Sequence, residues 1–375
     1  MDYRPFYWLE KMQVQLASLA GVVGVYLFAW PYVQPWDIDM PLSFLATGSM
    51  HQLSVYALIV LALAAVLGVV MVSTRPAGVA MAVMFSAGGV ALHSVSFRTI
   101  LQYRYGDLHT LYRTLTGETL MLWGLALAAV AVMLVMRRVV GFIRPNTLWR
   151  DPLEGKTLDV SGQRVMNMVF RRYLEFRLMG LGQQEEQNAK NISVSQELQR
   201  SIICFFLAFV IAILLMLLLL KADARGQCIF AVVASMFIAT FVAHASVPCS
   251  FFIGAMALPL ASAMVLYWLA SNTVLPAGPA AWMEVRPYGT ALPVDWMTFG
   301  MAASLLGYWM SSCVNENRYL QGLKQHADEH PSVPGQTTEA HQEILGEPLP
   351  PSETMYNKDQ SSEPNSHQKD ENQNV

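Results

Sequence analysis

The chain has 375 residues, 54% of them hydrophobic and only 14% charged, with a net charge of −3. Soluble domains carry about 25% charged residues. This composition, with apolar runs of about 20 residues recurring along the chain, excludes an ordinary soluble protein, and the charge does not suggest a nucleic-acid binder.

The charge is unevenly placed. From His326 onward there are ten acidic residues and two lysines, a net of −8, which leaves +5 for the residues before it. Cys204, Cys228, Cys249 and Cys313 lie in or beside apolar segments, with no C-x-x-C spacing and no metal-ligand pattern, and read as packing residues.

The predicted architecture is an all-α integral membrane protein. It comprises about eight transmembrane helices, at 12–33, 53–73, 77–97, 117–136, 201–220, 226–247, 250–271 and 294–313, each satisfying its own backbone bonds in lipid. "MDYRPFYWLEKMQ" is too polar and aromatic for a cleavable signal, so the first span is expected to be retained. In that span Ala17, Gly21 and Gly24 provide small residues at close helical spacing, and Gly300, Ser304 and Gly307 do so in the last one. Small residues let helices approach closely in a bilayer.

The 34–52 connection has Asp37 and Asp39 but no Lys or Arg. Spans 3 and 4 are joined through "ALHSVSFRTILQYRYGDLHTLYRTLTGETLML" (91–122), the most polar stretch of the first half. With His51 at the start of span 2, this stretch supplies a candidate outer-face ligand cluster of His51, His93, His109, Arg98, Arg104, Arg113, Asp107 and Glu118. Histidines on two helices suit haem or a metal, and arginines suit propionate, phosphate or carboxylate. The competing expectation is that these groups satisfy one another and that span-end arginines reach the headgroups.

Residues 1–136 form a first four-helix group and 201–313 a second. Between them, 137–200 is expected to be a basic cytoplasmic loop, with eleven Lys or Arg counted from Arg137 to Arg200. Basic residues beside spans stay inside, which places both termini in the cytoplasm of a plasma or bacterial inner membrane. Within the loop, "RVMNMVFRRYLEFRLMGL" (164–181) interleaves apolar residues with Arg164, Arg171, Arg172 and Arg177. That pattern predicts an amphipathic helix at the membrane surface or against a partner. Residues 314–375 are expected to be an acidic, polar, disordered cytoplasmic tail.

From Arg98 to Trp123 the pattern R-x-x-x-Q-x-R…LY…W loosely resembles a segment of the haem-handling cytochrome c assembly proteins, although the tryptophan-rich WWD signature of that family is absent. The resemblance covers those residues alone and implies haem as an alternative cofactor. Otherwise the cofactor is open, and no metal is assigned.

No span carries Asp, Glu, Lys or Arg at its middle, and there is no G-x-S-x-G, H-E-x-x-H or phosphate loop. Paired broken helices, a transporter device, are not evident either. The leading expectation is therefore a non-enzymatic structural or assembly subunit of a larger membrane complex, whose partners are the lipid bilayer and other subunits. The alternatives are a small-solute carrier or channel, and a redox anchor or haem-handling protein using the outer-face histidines.

Overall fold

The computed structural model describes residues 4–37, 39–72, 74–143, 194–249, 251–273 and 281–329; their regular structure is all helical, with no strand among them. The long helices are α1 (Arg4–Phe28), α2 (Met50–Val70) and α3 (Pro76–Ala87), which continues as a 3-10 segment over Gly88–His93. A short α4 (Arg98–Arg104) leads to α5 (Leu108–Ile143). The second half has α6 (Val194–Leu219), α7 (Arg225–Ser246), α8 (Phe252–Ser271) and α9 (Met301–Glu329). The bundle lies within Met1–His326. The 164–181 segment, with Arg164, Arg171, Arg172 and Arg177, lies outside the described residues, as does the tail beyond Glu329.

Local signals set the helix ends. Ser49 and Gln52 form a reciprocal cap at the start of α2, in which the Ser49 amide donates to Gln52 Oε1 at 2.7 Å. Pro76 opens α3, where a missing N–H costs nothing.

Seven helical segments among the described residues are long and apolar enough to cross a membrane. The expected eighth is present as a helical run but is built differently. It starts at Pro293–Asp295, passes through a π turn at Trp296–Gly300 and continues as α9 to Glu329, well into the segment expected to be disordered. Once the buried run has nucleated the helix, residues such as Glu316, Leu320, Gln321 and Lys324 have the propensity to extend it.

Burial explains the difference in composition. Outer helices are covered along one seam: α2 buries Gln52, Tyr56, Val60, Ala64 and Gly68, four residues apart throughout. On α6 the seam is Cys204, Ala208, Ala212, Met216 and then Leu220. By contrast, 78% of the Pro76–His93 segment is buried, and nearly every residue from Ala291 to Cys313 is buried. These two segments form the interior of the bundle and touch each other. The Phe85 and Phe299 rings meet edge to face at 5.9 Å, and a Cβ on Gly88 would come within 2.8 Å of the Phe299 ring. An interior helix has no lipid face to fill, so it can carry Ser, Thr, Gly and even Asp295.

Helix α5 runs beyond the expected 117–136 at both ends. Its 36 residues span about 54 Å at 1.5 Å per residue. Leu108, Leu111, Tyr112 and Leu115 bury its first turns, so Glu118 sits within the helix rather than at its entrance. The described helices of the two groups pack together through α5 against α8 and α3 against the π turn.

The small residues divide by position. A Cβ on Gly307 would come within 2.5 Å of the Phe237 carbonyl, and one on Gly300 within 3.0 Å of Val232. Ser304 Oγ bonds Thr240 Oγ1 at 2.9 Å, Ala17 packs against the core, and Gly21 abuts Ser86 on α3. Gly24 faces open space.

Candidate functional site

One end of the bundle gathers the 34–49 connection, the 94–107 segment, the 220–224 turn and the 281–292 turn. Two of the polar residues that hold these segments together, Glu118 and Asp295, are wholly buried.

Glu118 is wholly buried on α5. Its carboxylate accepts from the Ser43 hydroxyl at 2.5 Å, the Phe44 amide at 3.1 Å and the Leu45 amide at 3.2 Å. Its two oxygens collect the donors of a single turn. Phe44 then stacks on Tyr56 at 5.1 Å, and the Tyr56 hydroxyl donates to the Ala87 carbonyl at 3.1 Å, where α3 changes to 3-10 geometry. The Leu42 amide donates to Ser94 Oγ at 2.8 Å, fastening the same connection to the end of the interior segment.

Asp295, also wholly buried, opens the second interior segment. It accepts from the Leu292 amide at 2.9 Å and from both terminal nitrogens of Arg225. The same guanidinium donates to the Ala91 carbonyl from Nη2 at 2.7 Å and from Nε at 3.2 Å. One arginine thus joins the start of α7 to both interior segments. Tyr267 donates to the Ala291 carbonyl at 2.6 Å, and its ring lies 5.8 Å from that of Tyr112.

The remaining candidates are placed separately. His93 Nε2 bonds the Tyr26 carbonyl at 2.8 Å, and its ring stacks on Tyr26 at 3.8 Å and Trp30 at 4.7 Å. Asp107 accepts from the Thr110 amide at 3.3 Å, capping α5. Arg98 pairs with Asp223, whose carbonyl accepts from Ser96 Oγ at 3.1 Å. His51, Arg104, Asp107, His109 and Arg113 are all exposed. Among the described residues no group of three or more His, Cys, Asp or Glu is arranged to hold a metal ion. An open cavity of about 390 Å³ lies between α4 and the 220–224 turn, lined by Ser96, Arg98, Thr99, Gln102, Asp223 and Ala224.

The opposite end repeats the theme. Arg137 is buried in the last turns of α5 and donates to the carbonyls of Met71 at 3.0 Å, Val72 at 3.0 Å and Thr74 at 2.6 Å. His244 bonds the Cys249 carbonyl at 3.0 Å and Ser311 Oγ at 2.7 Å.

Sequence reasoning missed Arg137, Arg225 and Asp223. Arg137 was counted among the basic residues that mark the cytoplasmic side, whereas its guanidinium caps the end of α2. In "KADARGQ" (221–227) nothing local marks Asp223 and Arg225, whose partners, Arg98 and Asp295, lie in distant segments. No protein-family model, no curated protein and no solved structure matches this chain.

Proposed function

We propose that the chain is a non-enzymatic structural subunit of a larger membrane assembly. The observation that supports this reading most is the use made of its buried polar side chains. Glu118, Arg225 and Arg137 each bond backbone groups of distant segments, Arg225 also holds Asp295, and His244 reaches Ser311, so that these side chains tie the ends of the bundle together. Side chains spent this way build a rigid frame rather than a reacting centre. The apolar outer faces of α1, α2 and α6 are suited to lipid and to neighbouring subunits. We place both termini in the cytoplasm of a plasma or bacterial inner membrane, on the strength of the basic residues between Arg137 and Arg200.

The test is purification of the tagged full-length chain from its native membrane in a gentle detergent, with quantitative mass spectrometry of what accompanies it. Stoichiometric membrane partners are expected. A partner-free protein overturns the subunit reading.

A second reading, a small-solute carrier, is favoured by the meeting of two irregular helices in the interior. The 3-10 segment at Gly88 and the π turn at Trp296–Gly300 abut through Phe299, and such departures from α geometry recur at functional sites and in transporters. Solute uptake by reconstituted vesicles separates this reading from the first.

A further inference from the structure

The cavity beside α4 has an unusual wall. It carries a guanidinium and a carboxylate already in contact, Arg98 and Asp223, together with the polar side chains of Ser96, Thr99 and Gln102. The Arg98 side chain is 55% exposed and that of Asp223 21%, so both ions border the open space rather than being sealed beneath it.

The surroundings set the level of this cavity relative to a bilayer. Helix α4 buries Ile100 and Leu101 and presents Tyr103 and Arg104 outward, so it lies along the end of the bundle as a short amphipathic element. Tyr103, Tyr32 and Trp36 are all strongly exposed at this same end. Exposed Tyr and Trp beside apolar spans collect where the hydrocarbon meets the headgroups. The cavity therefore opens at headgroup depth.

We infer that this recess binds the headgroup of a zwitterionic lipid carrying a phosphate and a primary ammonium, of the phosphatidylethanolamine type. The phosphate oxygens meet the planar guanidinium of Arg98, which suits them in geometry and charge. The ammonium donates to the Asp223 carboxylate. Thr99 and Gln102 supply neutral hydrogen-bonding groups around the remaining oxygens. Binding gives each ion of the wall a lipid group of opposite charge and leaves the net charge of the wall unchanged. A choline headgroup has the same charges but no N–H to give Asp223, and a glycerol headgroup has no cation. The ethanolamine type is thereby preferred over both. This inference does not depend on whether the chain is a subunit or a carrier.

The experiment is native mass spectrometry of the full-length protein in detergent with equal amounts of ethanolamine, choline and glycerol phospholipids. The wild type is expected to retain the ethanolamine lipid about tenfold over the other two, the scale set by one charge-assisted hydrogen bond. Asp223→Asn is expected to reduce that preference to the choline level, and Arg98→Gln to lower retention of all three, with thermal unfolding checked for both variants. Equal retention by the wild type overturns the inference, as does an undiminished preference in folded Asp223→Asn. Should the variants fail to fold, soluble phosphoethanolamine added to the wild type is expected to displace the ethanolamine lipid. Failure to displace it means that the acyl chains, not the headgroup, are recognised, and the inference falls.

Discussion

Arg225 grips both carboxylate oxygens of Asp295 with its terminal nitrogens while donating to the Ala91 carbonyl, so a single residue at the start of α7 holds both interior segments. Breaking a buried pair strands the remaining charge, at a cost of about 3–5 kcal/mol. Arg225→Ala and Asp295→Ala are each expected to destabilise on that scale in a denaturant titration of the detergent-solubilised protein. Arg225→Lys keeps the charge but loses the fork that reaches three acceptors, and is expected to recover only part of the loss.

Glu118→Ala leaves the Ser43 hydroxyl and the Phe44 and Leu45 amides without their acceptor. Leaving buried donors without their acceptor costs about 1–3 kcal/mol. Because the three donors lie in one turn, the effect is expected to be local. Amide exchange is expected to quicken over 42–47 and to change little over α8. Uniform quickening across the bundle contradicts a local clasp.

The glycines offer a contrast within one residue type. Gly24→Ala is expected to be neutral or mildly stabilising, since its Cβ meets nothing and alanine favours helix by up to about 1 kcal/mol. Gly307→Ala drives a methyl into the Phe237 carbonyl and is expected to cost about 1–3 kcal/mol. Thermal unfolding of the two variants decides it, and equal midpoints sink the packing argument.

His93→Ala removes one hydrogen bond and two ring contacts, an expected loss of about 1–2 kcal/mol. Absorption spectra of wild type and variant, purified from native membrane, are expected to be the same. Loss of a Soret band in a folded variant overturns the structural role and favours the haem-handling alternative.

The outer helices were legible because each has one seam and one lipid face. Their apolar runs match the membrane thickness, and the seam of Ala208, Ala212 and Met216 on α6 is visible as a four-residue spacing. The interior pair was less legible, because no pattern distinguishes a helix facing lipid from one facing other helices when both are apolar. Glu118 was read as an entrance residue since the apolar run begins beside it. The earlier Leu108, Leu111, Tyr112 and Leu115 already had helical spacing that extended the helix backwards. His93, Arg98 and Glu118 were grouped because they are close along the chain. In the bundle they go to Tyr26, Asp223 and Ser43 respectively, partners set by long-range packing that local sequence does not encode.

The Arg137 cage has a consequence for how the molecule is made. The carbonyls it caps belong to the end of α2 and the turn after it, as many as 66 residues earlier in the chain. Until the far end of α5 has been made, the turn between α2 and α3 has only its local bonds, such as that from Thr74 Oγ1 to the Met71 carbonyl at 2.8 Å, and lacks the guanidinium that gathers its carbonyls. A chain that ends before residue 137 is expected to hold this turn less firmly than one that ends just after it.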